Sequence, residues 1–275
     1  MPSEGKLRGV LYVEYFAQTA EDLRERLDAG MRVAAAHDPT AGVERIEDQR
    51  AMGAAWALRK AGEPLLHGIV SDRKPVTFVE DNVVPVERLG EFVRRFRNIV
   101  EAHDTFAAFY AHASVGVLHV RPMLDPRDDA DEQRLHAISL EIADLAKELG
   151  GVMSGEHGDG RVRGPLLERF YGPELMRAFA EVKAAFDPQG LLNPGNIVGA
   201  PSDIKSITRR TRIRPHDQEV DVVARDTFFD YEDQHGFRGA VEMCNGAGVC
   251  RKRSGGVMCP SYMATLDERH STRGD

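Results

Sequence analysis

Two strand patterns lie side by side in the middle of the chain and constrain its fold more than any other feature. The segments FAAFYAH (residues 106–112) and VGVLHVRP (residues 115–122) are rich in β-branched and aromatic residues, which are typical of strands. Ser114, between the segments, and Gly116, at the start of the second one, favour a turn. We therefore predict two neighbouring strands joined by a turn.

Helical patterns surround this strand pair. After Pro85, apolar residues recur at helical spacing at Val86, Leu89, Phe92, Val93, Phe96, Ile99 and Val100. A second such face comprises Leu135, Ile138, Ile142, Leu145 and Leu149, and its helix should end at Gly150. Nearer the N-terminus we predict strands at residues 9–16 and 31–37, a helix from Thr19 to Gly30 and another over residues 42–62. This mixed order predicts an α+β domain with a largely antiparallel sheet.

Charge and hydropathy limit the classes of partner. The chain has 275 residues and a formal net charge of −8, so its net field does not attract nucleic acid or an anionic membrane surface. No apolar run is long enough to span a bilayer, and the first residues, MPSEGKLRGV, lack a signal-like apolar stretch. We expect a cytoplasmic protein that acts on small molecules or proteins.

Two histidines and a later glutamate form a candidate metal site. His112 and His119 are separated by an odd number of residues, so one continuous strand would point them to opposite faces. The predicted turn removes this conflict, because it places the histidines on adjacent strands. Glu156, in the glycine-rich loop GEHGDG, would complete an N₂O ligand set for Zn²⁺ or Mn²⁺. The alternative is that the histidines are hydrogen-bonded core residues.

Three segments together carry a family resemblance. HASVGVLHVRP, GGVMSGEHGDGR and FDPQGLLNPGNIV occur in this order, and residues 5–198 as a whole resemble the C-terminal cap domain of FAD-linked 2-hydroxyacid oxidoreductases. This family includes D-lactate and D-2-hydroxyglutarate dehydrogenases and the glycolate oxidase flavin subunit. The resemblance implies a cap domain over residues 1–200 that holds the substrate and a metal.

The same resemblance implies a role for individual residues. His112, His119 and Glu156 match the metal ligands of the family, and His157 matches the histidine that takes the substrate's hydroxyl proton. Arg59 matches an arginine that binds a substrate carboxylate, although it could also be a surface residue of its helix. The turn that contains Asn193 and Gly195 matches a segment that lies near the flavin.

One position departs from the family pattern. Arg121 stands two residues after the second histidine, where many members have asparagine. An additional cation beside the metal would favour a dicarboxylate substrate such as D-2-hydroxyglutarate. Alternatively, Arg121 pairs with Asp125 or Asp159.

All three cysteines lie near the C-terminal end of the sequence. Cys244, Cys250 and Cys259, the last followed by Pro260, resemble the first cysteine group of the iron–sulfur domain fused to one subclass of these dehydrogenases. A [4Fe–4S] cluster takes four cysteines, so we expect a truncated ferredoxin-like segment with an incomplete ligand set. A zinc site with His270 as fourth ligand is the chemical alternative.

These patterns predict three parts: the cap domain at residues 1–200, a linker at 201–235 and the start of a 4Fe–4S ferredoxin-like domain at 236–275. The linker is basic, which is typical of a solvated segment or of a docking surface for another domain. No glycine-rich phosphate-binding segment precedes the cap, so FAD should be bound mainly by an upstream domain or subunit. We expect one piece of an FAD-dependent D-2-hydroxyacid dehydrogenase whose electrons pass to an iron–sulfur cluster and then to an unidentified acceptor. A non-catalytic metal-binding or electron-transfer module, or an inactive fragment, is the alternative.

Overall fold

A computed structural model describes residues 9–40, 42–126, 128–207, 227–244 and 248–272. The chain divides into two compact units, Met1–Gly62 and Glu63–Asp275.

Two helices dominate the first unit. Helix α1 (Ala20–His37) begins where predicted, because Thr19 caps it by accepting a hydrogen bond from the N–H of Asp22 at 3.1 Å. The predicted end at Gly30 is wrong, and residues 31–37 continue the helix instead of forming a strand. An interior glycine costs a helix only about 1 kcal/mol, and the alanine-rich segment that follows favours helix.

The predicted strand at residues 9–16 is also wrong, since these residues form no strand. Tyr12 of this segment instead stacks on Trp56 of helix α2 (Gln49–His67), with ring centroids 6.2 Å apart. The Trp56 indole N–H donates to Glu14 at 2.9 Å. Helix α2 confirms the helix predicted over residues 42–62, although it begins and ends later.

The second unit contains a four-stranded antiparallel sheet, as predicted. Its strands are β1 (Lys74–Pro75), β2 (Asn82–Val83), β3 (Ala107–His112) and β4 (Val117–Leu124). Strand β4 is central: it pairs with β3 along most of its length, and its two ends pair with β2 and β1. The predicted strand pair is therefore the middle of the sheet.

The turn between β3 and β4 is a 3₁₀ turn, Ala113–Val115, closed by Gly116 at a φ of 75°. A Cβ at this glycine would lie 2.0 Å from the carbonyl oxygen of Val84, so a larger residue would clash with backbone as well as adopt a strained φ. The predicted turn is confirmed.

Three longer helices follow the first strands: α3 (Leu89–Ala102) and α4 (Asp129–Glu148) pack on the sheet and on each other, and α5 (Leu167–Phe186) packs on α4. The apolar faces predicted for α3 and α4 form the core together with β4, and their fully buried members include Phe92, Phe96, Leu135, Ile138 and Ile142. Helix α5 was not predicted, and a break at Gly172, with a φ of 84° before Pro173, interrupts its helical pattern.

A buried carboxylate fixes the start of α4. Asp131 accepts two hydrogen bonds from Arg73, at 2.7 and 2.8 Å, and one from Arg134 at 2.8 Å. It also accepts the backbone N–H of Asp125 at 2.9 Å. Burial alone would raise the pKa of Asp131, but these bonds hold it below its usual value.

Beyond residue 200, the structure describes two short helices, α6 (Gly236–Glu242) and α7 (Pro260–Thr265). The basic part of the predicted linker, residues 208–226, lies outside the described residues. The division at residues 200 and 235 stays a prediction. Every helix in the described ranges is too short or too polar to cross a membrane.

Candidate metal and substrate site

The β3–β4 pair presents three candidate site residues on one face. His112 lies opposite Val117, and Val117 shares a face with His119 and Arg121 because side chains alternate along a strand. The two histidines are thus diagonal cross-strand neighbours, and their ring centroids are 5.3 Å apart. This arrangement confirms that the turn brings the histidines together.

Glu156 lies at the centre of a histidine cluster. One of its carboxylate oxygens, Oε1, is 3.0 Å from Nε2 of His119, 3.6 Å from Nε2 of His157 and 3.8 Å from Nε2 of His112. His119 and His157 also stack, with ring centroids 5.0 Å apart. Three imidazole nitrogens therefore converge on one carboxylate oxygen.

The cluster has a buried side and an open side. His119 is 7% exposed, whereas His112, Glu156 and His157 are half-exposed. Burial is the main cause that lowers the pKa of His119, and His157 and His112 lower it further against the opposing effect of Glu156 and Glu80. The neutral imidazole that metal binding requires is therefore the favoured form of His119.

Two acidic residues of this site, Glu80 and Asp81, were missed by the sequence analysis. Glu80 Oε2 accepts a hydrogen bond from Arg121 Nε at 3.1 Å, and Glu80 Oε1 is 3.6 Å from Nδ1 of His157. Arg121 thus pairs with Glu80, a partner that the sequence analysis did not consider. The only local signal was an acidic pair placed between the apolar segments VTFV and VVP.

Asp81 is fully buried and connects the sheet to the Glu156 loop. Its carboxylate accepts hydrogen bonds from the Ser154 hydroxyl, from the N–H of His157 at 2.8 Å and from the N–H of Glu156 at 3.2 Å. Its carbonyl accepts the N–H of Gly155 at 2.9 Å. Burial would raise the pKa of Asp81, but the bonds to its carboxylate hold the pKa below its usual value.

The buried Arg163 and the partly buried Asp159 form an ion pair beside this loop. Arg163 donates to the carbonyl oxygens of Glu80 and Gly158, both at 2.7 Å, and so joins the strand end to the loop. Its Nε is 3.5 Å from Asp159, whose pKa is raised by burial despite this arginine. The loop that carries Glu156 and His157 is therefore held from both ends.

The donor set fits a divalent cation. Ligand atoms of Asp81, His119, Glu156 and His157 all lie within 4.8 Å of one another, and the imidazole and carboxylate groups suit Zn²⁺ or Mn²⁺. His112 Nε2 faces the same Glu156 oxygen from the open side. His119 Nδ1 is buried without a hydrogen-bond partner in the described part of the chain.

The remaining candidate residues belong to other segments of the chain. Arg59 belongs to the unit Met1–Gly62, where its guanidinium carbon is 5.2 Å from the centre of the Trp56 ring. Asn193 and Gly195 adopt left-handed φ angles of 45° and 70° in the predicted turn after α5. The substrate role of Arg59 and the flavin role of the turn stay predictions.

The three cysteines are free thiols and do not form one metal-binding group within the residues that the structure describes. Cys259 accepts the backbone N–H of Thr272 at 3.2 Å and contacts the hydroxyl of that residue. His270 Nδ1 is 2.8 Å from the Thr265 hydroxyl. The iron–sulfur assignment and its zinc alternative therefore stay predictions.

Comparison with known proteins places this chain in a family. The profile of the FAD linked oxidases, C-terminal domain, matches residues 2–197. The chain belongs to this family. Among the FAD linked oxidases, D-2-hydroxyglutarate dehydrogenase of Escherichia coli (strain K12) is 36% identical to the chain over 238 residues. The aligned region is 85% of the chain and 21% of that protein.

Other relatives carry related names. D-2-hydroxyglutarate dehydrogenase of Pantoea ananatis is 34% identical over 241 residues, or 86% of the chain and 22% of that protein. Glycolate oxidase subunit GlcD of Bacillus subtilis is 35% identical over 143 residues, or 52% of the chain and 30% of that subunit. The chain thus spans about a fifth of the length of its D-2-hydroxyglutarate dehydrogenase relatives. Because those matches cover at least 85% of the chain, they extend beyond residue 197.

Proposed function

We propose that this chain supplies the substrate- and metal-binding half of an FAD-dependent dehydrogenase that oxidises a D-2-hydroxyacid, such as D-2-hydroxyglutarate or D-lactate. The observation that carries the proposal is the convergence of three Nε2 atoms, from His112, His119 and His157, on one oxygen of Glu156. The names of the relatives supply the class of substrate.

His112, His119 and Glu156 would hold the divalent cation. Bound there, the cation supplies a Lewis acid that lowers the pKa of the substrate's 2-hydroxyl group and fixes the substrate's position. His157 is the base in this proposal. Each ring nitrogen of His157 is 3.6 Å from a carboxylate, Nδ1 from Glu80 and Nε2 from Glu156. With Glu156 bound to the cation, Glu80 would favour the tautomer that carries the proton on Nδ1, and Nε2 would be left to accept the hydroxyl proton.

FAD, bound mainly by an upstream domain or subunit, supplies the acceptor for the hydride that leaves C2. The contribution of this chain on that side is the turn at Asn193 and Gly195. The chain alone is therefore expected to be colourless at flavin wavelengths and inactive with D-lactate and D-2-hydroxyglutarate. Stoichiometric FAD retained by residues 1–275, with turnover, would overturn this division of roles.

Metal titration of variants tests the proposed centre. His119→Ala and Glu156→Gln should each abolish stoichiometric Zn²⁺ or Mn²⁺ binding. His103→Ala is the matched control, because His103 pairs with Glu141 at 2.7 Å in the same unit but outside the cluster. Wild-type affinity in both site variants would place any metal elsewhere.

Arginines provide the proposed contacts to substrate carboxylates. In the assembled enzyme, Arg59→Ala should weaken substrate binding by about 1.5–3 kcal/mol, the usual size of a hydrogen bond to a charged group. Arg50→Ala, an exposed arginine of the same helix α2, is the control. An unchanged KM and kcat for Arg59→Ala would remove this residue from the site.

Arg121 is the proposed selectivity residue, because its guanidinium is on the same strand face as the metal-site histidines and beside Glu80. Arg121→Asn should shift the preference of the assembled enzyme from dicarboxylates towards monocarboxylates. The ratio of kcat/KM for D-2-hydroxyglutarate and D-lactate measures this shift. An unchanged ratio would leave Arg121 a purely structural partner of Glu80.

For the C-terminal segment we propose that Cys244, Cys250 and Cys259 are the first ligands of a [4Fe–4S] cluster that receives electrons from the flavin. The hydrogen bond from Thr272 to the Cys259 sulfur supports this, since such bonds tune cluster sulfurs. Anaerobic reconstitution with iron and sulfide distinguishes the alternatives. His270→Ala should leave iron uptake unchanged, whereas a zinc site with His270 as fourth ligand would be lost.

A further inference from the structure

Asp81 is a buried carboxylate among the candidate metal ligands, and two roles are open to it. It lies within ligand distance of His119 and Glu156, so it could itself bind the cation. It also contacts the backbone of the loop that carries Glu156 and His157. Its existing hydrogen bonds decide between these roles.

Both carboxylate oxygens of Asp81 are already engaged by the loop. Oδ2 accepts the Ser154 hydroxyl, the N–H of His157 at 2.8 Å and the N–H of Glu156 at 3.2 Å, and Oδ1 is also 3.2 Å from this last N–H. Oδ2, with three donors, has no lone-pair capacity left for a cation, and Oδ1 shares the Glu156 N–H on a side chain that is 0% exposed. His112, on the open side of Glu156, has no such competing role in the described contacts to its Nε2.

The neighbouring contacts show that this anchoring is continuous. Next along the chain, Asn82 donates from its side-chain amide to the carbonyl of Met153 at 2.8 Å. Val83 then exchanges two backbone hydrogen bonds with Val152, at 2.8 and 3.1 Å. Residues 81–83 thus form hydrogen bonds along the whole segment 152–157. Of these three residues, Asp81 is the one that binds the part of the loop with Glu156 and His157.

We propose that Asp81, assisted by Ser154, is the positioning residue of the metal centre: it orients Glu156 and His157 through their backbone N–H groups and does not ligate the cation. This inference rests on the proposed metal centre. Asp81 has a φ of 76°, a conformation that aspartate and asparagine tolerate better than most residues, and this fits a carboxylate directed back to the loop.

Asp81→Asn tests the role with little change in size or backbone preference. An asparagine offers one acceptor oxygen where the carboxylate offers two, so the loop N–H groups lose part of their anchor. In the metal-free chain, amide hydrogen exchange measured by NMR should become faster at Glu156 and His157. Exchange at Val152 should stay unchanged, because its N–H donates to the Val83 carbonyl.

Titration with Zn²⁺ and Mn²⁺ alone gives the second readout. Asp81→Asn should weaken binding by about 10- to 100-fold, the usual effect of removing a group that orients metal ligands. Ser154→Ala should also weaken metal binding, by about tenfold. Because Ser154 carries no charge, this loss would not come from a change in the charge of the site. Asp131→Asn is the matched control, because Asp131 is an equally buried, multiply hydrogen-bonded carboxylate away from the site and should leave the affinity unchanged.

Each alternative result is distinguishable. If Asp81→Asn loses the metal but keeps wild-type exchange at Glu156 and His157, Asp81 is a ligand and the proposal is overturned. Wild-type exchange together with wild-type affinity overturns it as well. If Asp81→Asn does not fold, Ser154→Ala is used in its place. Wild-type amide exchange at Glu156 and His157 in that variant then counts against the proposal. If the wild-type chain binds neither ion, the proposed metal centre fails, while the exchange measurement in the metal-free chain still decides whether Asp81 holds the loop.

Discussion

Gly155 gives a direct measure of how closely the Glu156 loop must approach strand β2. A Cβ at this position would lie 2.0 Å from Cγ2 of Val83, whereas carbon atoms in ordinary contact are about 3.5–4.0 Å apart. Gly155→Ala therefore requires a movement of about 1.5 Å. Val83 cannot easily supply it, because its backbone pairs with both Val117 and Val152 and its β-branched side chain is stiff.

The loop is thus the part that must move, and it carries Glu156 in the next position. We expect Gly155→Ala to lower the free energy of unfolding by about 1–3 kcal/mol, the usual cost of overpacking. Metal affinity should fall by about tenfold or more, because Glu156 shifts with the loop. Urea unfolding of the metal-free chain and isothermal titration with Zn²⁺ measure the two effects separately.

Gly90→Ala is the matched control for this substitution. A Cβ there would lie 3.4 Å from Nη1 of Arg94, the end of a flexible side chain, and α3 favours alanine over glycine by up to about 1 kcal/mol. The control should be as stable as the wild type or more so. A Gly155→Ala chain with the wild-type urea midpoint and wild-type metal affinity would refute the steric argument.

Two further substitutions test the core and its electrostatics. Phe96→Ala removes a fully buried ring that packs edge-on against Phe92 and Phe109, and it should cost about 3–5 kcal/mol in urea unfolding; a loss below about 1 kcal/mol would contradict this packing. Asp131→Asn should cost about 3 kcal/mol near neutral pH. Because the folded pKa of Asp131 is lowered, its contribution is present above about pH 4 and is lost as the pH falls through the folded value. Below about pH 4 the free energy of unfolding should therefore fall less steeply with pH in the variant than in the wild type. An equally steep fall in both proteins would exclude this role.

The parts of the fold that could be predicted are those whose cause is local. The odd spacing of His112 and His119, together with the turn formers Ser114 and Gly116, was enough to place the histidines on adjacent strands, as the structure has them. The spacing of Phe92 and Phe96 was enough for α3. In each case the pattern and the constraint lie within about one element of the chain.

The failures have non-local causes. Residues 9–16 have strand composition, but Tyr12 packs on Trp56 of helix α2, and composition does not reveal the contact partner. Asp81 was missed because the groups that define its role, Ser154 and His157, are 73 and 76 residues further along the chain. Helix α5 was missed because the break at Gly172 divides its apolar pattern.

The distance along the chain between Asp81 and its partners also has a kinetic consequence. A contact between residues 75 positions apart closes a long loop, at an entropic cost of about 4 kcal/mol. The β3–β4 pair and the helices α3 and α4 lie within that loop, and we expect their more local contacts to form first. The site should therefore assemble late in folding. During synthesis, Asp81 can form all its contacts to the loop only after residue 157 has left the ribosome.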